Sequence, residues 1–189
     1  MRGKRLLAWA ARGGALAAAC WVALALTPVP SSSQTAALED FEGAWVFTRS
    51  SRDLSSHEQG IDHVVDQLNI FIREIARGEM RRRIPPEGRV TFRVESETAV
   101  QLSIDDWGPH RFELGASPRR VRGPEGDDVR VRLAFQRGRL VHRQVHSGGN
   151  RLNTYSLNGD GSRLTLNATI GSDRLPDDIR YRLTFRRAR

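Results

Sequence analysis

The chain has 189 residues, a length that fits one domain, and carries 30 basic against 22 acidic side chains, a formal net charge of +8. This charge does not indicate nucleic-acid binding, because most arginines alternate with apolar residues, as on the solvated face of a strand. The only cysteine, Cys20, lies near the N-terminus. Disulfides and thiol catalysis are therefore excluded for the rest of the chain.

Residues 1–37 have the pattern of a secretory signal. A basic start is followed by an uncharged apolar run at 15–26 and then by prolines and serines. Cleavage would leave a domain of residues 38–189 in the bacterial periplasm or outside the cell. Two alternatives stay open: an uncleaved signal that anchors the protein in the membrane, and lipidation at Cys20.

The first elements of the domain are a strand over 43–50 and a helix over 55–80. Ser55 and Glu58 form a capping-box pattern, and Gly78 with the prolines beyond it can end the helix. Apolar residues recur between them at helical spacing. The pattern predicts a single amphipathic helix.

Beyond residue 86 the apolar period changes from 3.6 to 2, which indicates half-buried antiparallel strands. Alternation is clear at 89–95, 128–136, 163–170 and 179–186, and weaker at 98–104, 109–115, 139–146 and 151–157. Turn residues separate these segments at intervals of about 8–12 residues. The prediction is all-β: a single up-and-down antiparallel barrel of roughly eight to ten strands, with the helix between the first and second strands.

The opening motif formed by Phe41, Gly43 and Trp45, together with this order of elements, resembles the fatty-acid-binding proteins and lipocalins (calycin barrels). The resemblance implies a barrel that binds a small apolar or lipid-like ligand. It also implies a late arginine, Arg186 or Arg187, packed over Trp45.

One feature of the fatty-acid-binding proteins is not matched. They hold the ligand carboxylate with an inward-facing Arg-x-Tyr pair near the C-terminus. The corresponding inward positions here are Leu183 and Phe185, whereas Arg180 and Arg182 fall on the opposite face. The carboxylate clamp is therefore not carried over to this chain.

Ten residues are predicted to form the ligand site, three on the helix as a lid and seven inside the barrel. They are Leu68, Phe71 and Ile75 on the helix, and Phe92, Val94, Val131, Leu133, Leu166, Tyr181 and Phe185 on the strands. The alternative is a fully packed barrel whose basic amphipathic helix contacts a membrane surface or a protein partner.

Other polar groupings do not predict chemistry. His142 and His146 lie about 13 Å apart along a strand, too far for one zinc ion. With Gln144 they are expected to form a polar row, either solvated or lining part of the lumen. The Asp-Asp pairs fall at turns, and the Ser, His and Asp residues of 55–66 fall on a hydrated helix face. No catalytic residue, metal site or cofactor is predicted, and the function expected is non-enzymatic.

Overall fold

A computed structural model describes residues 36–189. The predicted signal segment up to residue 35, including Cys20, lies outside the described residues. A 3₁₀ turn at Glu39–Phe41 precedes the first strand, and two helices follow it: α1, Ser51–Val65, and α2, Arg73–Arg83. Neither helix is long and apolar enough to span a membrane, nor is any other helix in the described residues.

Ten strands make up the rest of the described chain. They are β1 Gly43–Phe47, β2 Arg89–Ser96, β3 Ala99–Ile104, β4 Trp107–Glu113, β5 Arg119–Arg122, β6 Asp128–Gln136, β7 Arg139–His146, β8 Gly149–Leu157, β9 Arg163–Gly171 and β10 Ile179–Arg187. Sequential strands pair antiparallel except β4 and β5, and β1 pairs with β10, which gives the order β4-β3-β2-β1-β10-β9-β8-β7-β6-β5. The predicted up-and-down barrel is confirmed.

The barrel is nearly closed, and its seam lies between β4 and β5. Hydrogen bonds from side chains to the backbone cross this seam: Trp107 Nε1 donates to the carbonyl of Arg122 at 2.7 Å, and Arg119 donates to the carbonyl of Arg111 at 2.8 Å. Strand β5 is the one strand that the sequence pattern did not predict. It is four residues long with only Val121 buried, so no alternation could be recognised.

The helix prediction was right in its place between the first two strands and wrong in its continuity. Helix α1 begins at Ser51, with the Ser50 hydroxyl accepting the Asp53 N–H at 3.2 Å, and not at Ser55. The Asn69 side chain accepts the Phe71 N–H at 3.0 Å. This local turn interrupts the apolar stripe, because an Asn side chain competes with helical hydrogen bonding.

Helix α1 takes the place of a neighbouring strand along part of β10. Strand β1 ends at Phe47, and beyond it the Thr184 N–H donates to the buried carboxylate of Asp53 at 3.2 Å. A Cβ atom on Gly60 would lie 2.4 Å from the carbonyl oxygen of Arg180. The missing side chain of Gly60 thus allows the helix to approach the strand backbone closely.

The two ends of the barrel are named by their turns. The closed end carries the turns at 97–98, 137–138 and 158–162, and the open end carries those at 105–106, 123–127 and 147–148.

At the closed end Trp45 is fully buried, and its Nε1 donates to the Phe41 carbonyl at 2.9 Å. The guanidinium of Arg187 lies 4.4 Å from the Trp45 ring centroid and donates to the carbonyls of Glu42 and Asp40. The expected arginine over Trp45 is confirmed, and it is Arg187.

Candidate binding cavity

A cavity of about 900 Å³ lies at the open end. Its walls come from the C-terminal part of α2 and the segment after it, the β3–β4 and β5–β6 turns, and the inward faces of β7 and β8. Small-molecule sites in proteins measure about 300–1,000 Å³. The cavity is therefore large enough for a small amphiphile.

The inward face of β7 and β8 changes from polar to apolar with depth. Gln144 of β7 is opposite Arg151 of β8 at the cavity, the next inward pair is His142 with Asn153, and the next is Leu140 with Tyr155. Inward residues repeat every second position in a strand, so each step moves one layer further from the opening. Polar side chains are thus concentrated in the two layers nearest the open end.

Arg151 is the centre of a hydrogen-bond network beside the cavity. Its guanidinium pairs with the carboxylate of Glu87 and donates to the Tyr181 hydroxyl at 2.8 Å and to Asn153 Oδ1 at 3.0 Å. Asn153 in turn donates to the Tyr155 hydroxyl at 3.2 Å. The side chains of Glu87 and Arg151 are 5% and 21% exposed. Because burial strengthens charge-assisted bonds, this network holds Arg151 in one position.

His142 lies opposite Asn153, one layer deeper than Gln144. It is fully buried, stacks on Trp107 at 5.9 Å between ring centroids, and lies 3.3 Å from the Gln144 amide nitrogen. Burial lowers the pKa of His142 to about 3, so the imidazole is neutral at pH 7. Burial also raises the pKa of Tyr155 to about 12, which keeps its hydroxyl protonated.

Two buried polar atoms of this region have no hydrogen-bond partner among the described residues: Glu87 Oε2 and His142 Nδ1. Such atoms are rare in proteins and call for an explanation, since leaving one unpaired costs about 1–3 kcal/mol. In the described part of the chain, no group of three or more His, Cys, Asp or Glu side chains could hold a metal ion.

The ten predicted ligand-site residues are divided among three environments. Phe92, Val131, Leu133, Leu166, Tyr181 and Phe185 are buried, Leu68 and Val94 are half-buried, and Phe71 and Ile75 are exposed. None of them is among the residues that line the larger cavity, although Tyr181 contacts Arg151 there. Val131 and Leu133 line a second cavity of about 270 Å³ between β4 and β6. Their role in ligand binding stays a prediction.

The expectation that Phe71 and Ile75 cover the barrel was wrong. Their exposures are 88% and 75%, because the turn at Asn69 ends the stripe that α1 buries and sends the next residues outward. Of the two alternatives for the polar row at 142–146, the solvated one does not hold for His142, which is fully buried; Gln144 lines the cavity, and His146 is exposed.

Sequence reasoning missed Glu87, Arg151 and Asn153. Glu87 lies in a short segment before β2 and carries no periodic signal. Arg151, Asn153 and Tyr155 do alternate, and aligning them against the polar row of β7 could have indicated a shared interior face.

Known structures share this fold at low sequence identity, while no protein-family model and no curated protein sequence matches the chain. Lipid binding protein 8 of Caenorhabditis elegans, in its apo form, is 12% identical with a TM-score of 0.51, over 81% of this chain and 99% of that one. A secretory abundant heat soluble protein of Ramazzottius varieornatus is 10% identical with a TM-score of 0.52, over 79% and 96%.

The wild-type fluorescent protein UnaG is 15% identical with a TM-score of 0.50, over 79% of this chain and 98% of that one. In each case nearly the whole of the known protein is matched by the barrel and its helices. The chain therefore shares the calycin-like β-barrel fold of these three proteins.

Proposed function

We propose that this protein is a non-enzymatic carrier of a small, lipid-like amphiphile that enters the barrel at its open end. The observation that carries the proposal is the cavity of about 900 Å³ between α2 and the β3–β4 and β5–β6 turns. The fold is that of a protein whose name describes lipid binding. The signal-like N-terminal pattern supports export to the periplasm or beyond.

The lining of the cavity offers both polar and apolar contacts. A polar head would lie beside Arg151 and Glu87, while an apolar tail would lie against Ile104, Trp107 and Pro124 in the same cavity. The closed end offers no route, since Trp45 and Arg187 seal it. Entry and release therefore occur past α2.

The direct test is mass spectrometry of the purified protein under non-denaturing conditions, before and after extraction with organic solvent. A discrete added mass that extraction removes would support a carrier and identify the ligand class. N-terminal sequencing of the same preparation tests export, because a processed protein begins near residue 38. A bare protein that also fails to bind neutral apolar dyes would overturn the carrier proposal.

A second candidate function is docking on a lipid bilayer. Four large apolar side chains are exposed around the turn between α1 and α2: Ile70, Phe71, Ile72 and Ile75, with exposures of 71%, 88%, 48% and 75%. We call them the apolar tip. Exposed apolar groups of this size are unusual on a monomer surface and favour insertion into the membrane interface.

The arginines of α2 contribute less to such docking than their number predicts. Four of them pair with carboxylates of the described residues: Arg77 with Asp62, Asp66 and Glu74, Arg81 with Glu58, and Arg82 and Arg83 with Glu79. Their charge is largely neutralised. Docking through the apolar tip should therefore depend little on salt.

Flotation with phosphatidylcholine vesicles, with and without phosphatidylglycerol, tests this candidate. Replacing both Phe71 and Ile75 by Ser should weaken binding about a hundredfold or more, because each apolar side chain contributes about 1.5–3 kcal/mol when buried. Leu54→Ser is the matched control, since Leu54 is exposed on α1 outside the tip. Binding that needs anionic lipid and disappears in salt would contradict docking by the tip.

A further inference from the structure

Arg151, the arginine at the cavity, is already occupied by groups of the chain itself. The Glu87 carboxylate, the Tyr181 hydroxyl and Asn153 Oδ1 all accept from it. A ligand carboxylate would have to displace Glu87, which is buried and would then be left as an unpaired charge. Breaking a buried ion pair in this way is strongly unfavourable.

Glu87 itself has one oxygen without a partner. Its Oε1 pairs with Arg151, whereas Oε2 is buried and accepts no hydrogen bond from the described residues. Glu87 is also among the residues that line the cavity. A carboxylate oxygen only accepts hydrogen bonds, so the partner that would satisfy Oε2 is a donor.

The charge of the cavity wall also favours a hydrogen-bond donor, and one that is positively charged. Four carboxylates line it, those of Glu87, Asp105, Asp106 and Glu125, against three guanidinium groups, those of Arg82, Arg83 and Arg151. All three arginines are paired with Glu79 or Glu87, while Asp105, Asp106 and Glu125 are in no ion pair between described residues. The wall is thus acidic in a chain that is basic overall.

We infer that the ligand's head group is a hydrogen-bond donor with positive charge, such as a protonated amine, and that it binds Glu87 Oε2. This inference rests on the proposed carrier function and names its ligand class: a cationic amphiphile and not a fatty acid. The amine donates to Oε2 and faces the acidic mouth formed by Asp105, Asp106 and Glu125. Arg151 is a positioning residue that holds Glu87 in place.

Three probes with the same twelve-carbon chain separate the head groups: dodecylamine, dodecanol and laurate. Their binding to the purified protein is measured by calorimetry at pH 7, below the concentrations at which they form micelles. We expect dodecylamine to bind about tenfold or more tightly than laurate, the difference made by one charge-assisted hydrogen bond, with dodecanol between them.

The variant Glu87→Gln removes the charge and keeps the shape. It should lower dodecylamine affinity about tenfold without weakening laurate, whereas Glu97→Gln, at an exposed turn of the closed end, should change neither. If Glu87→Gln does not fold, Asp106→Asn combined with Glu125→Gln tests the acidic mouth with the same probes.

The outcomes separate this inference from the proposed function. Laurate binding as tightly as dodecylamine to the unmodified protein would overturn the cationic head group and leave the carrier intact. An unchanged preference for dodecylamine in the Glu87→Gln variant would overturn the role of Oε2. Failure of all three probes to bind would overturn the carrier function itself.

Discussion

The closed and open ends of the barrel are built from the same strands but use their inward positions differently. At the closed end Trp45, Phe41 and Phe92 are fully buried, and Phe41 and Phe92 pack edge to face at 6.0 Å between ring centroids. At the open end Glu87 and Arg151 face a cavity. Burial of apolar surface stabilises the fold at one end, and polar groups beside open space provide recognition at the other.

This division explains why the open end needs helix α1. Strand β1 is only five residues long, so the first part of β10 has β9 on one side and no strand on its β1 side. Helix α1 covers that edge through Asp53 and Gly60, and this protects an edge that could otherwise pair with another chain. Helix α2 has no buried residue. The two helices thus differ: α1 stabilises the barrel, and α2 borders its opening.

The largest expected effect is at the closed end. Trp45→Ala should lower the free energy of unfolding by about 3–5 kcal/mol, because it opens a cavity in a sealed core and removes the ring beneath Arg187. Phe71→Ala, at an aromatic side chain that is 88% exposed, should change it by less than about 0.5 kcal/mol. Urea unfolding measures both. Equal losses would contradict the assignment of stability to the closed end.

The next effect concerns His142, the buried histidine opposite Asn153. Burial lowers the pKa of His142 from its ordinary value of 6.5 to about 3. Between these values the unfolded chain binds a proton that the folded protein excludes. Stability is therefore retained above pH 6.5 and lost as the pH falls toward 3. The loss from this group should reach about 2 kcal/mol between pH 6.5 and 4.5.

Urea unfolding over this pH range, compared between the unmodified protein and His142→Gln, isolates that contribution. The variant should lose correspondingly less stability as the pH falls. His146→Gln, at the exposed end of the same strand, should follow the unmodified protein. An identical pH dependence for all three proteins would show that His142 is not excluded from protonation by burial.

A smaller pair of effects separates the two helices. Gly60→Ala should destabilise the protein by about 1–3 kcal/mol, because the new methyl group meets the Arg180 carbonyl. Gly78→Ala on α2 meets no atom within 4 Å and should stabilise it by about 0.5–1 kcal/mol through helix propensity. Thermal unfolding of both variants shows whether each is more or less stable than the unmodified protein. The same sign at both positions would refute the difference between α1 and α2.

The smallest expected effect is at Arg187. Arg187→Lys keeps the charge but loses the planar contact with Trp45 and the two bonds to backbone carbonyls, and it should cost about 1 kcal/mol. Arg186→Lys, on the exposed face of the same strand, is the control. Chemical denaturation compares them. Equal stability of the two variants would mean that Arg187 does not help to seal the closed end.

The sequence predicted the closed end well and the open end poorly, and the reason is physical. Phe92, Leu166 and Phe185 alternate with polar residues, and that alternation identified both the strands and their buried face. The resemblance carried by the opening motif indicated the contact of Trp45 with Arg186 or Arg187, and the structure shows that it is Arg187. These signals come from burial, which affects every second residue of a strand.

The residues that line the cavity do not recur at such a regular spacing in the sequence. Glu87 reaches Arg151 across 64 positions of sequence, and only the register of β7 with β8 places His142 beside Asn153. The break between α1 and α2 covers residues 66–72, where the Asn69 side chain accepts the Phe71 N–H, and the spacing of the apolar stripe is continuous across it. Polar residues inside a barrel look like solvated ones until their strand partners are known.

The most direct test of the difference between the two ends uses the tryptophans that mark them. Trp107 lines the cavity, and Trp45 is buried at the closed end. Their indole N–H signals, assigned with Trp→Phe variants, can be followed by NMR while dodecylamine is added. We predict a saturable shift of the Trp107 signal with that of Trp45 unchanged. A shift of the Trp45 signal alone would place the ligand at the wrong end and contradict the account.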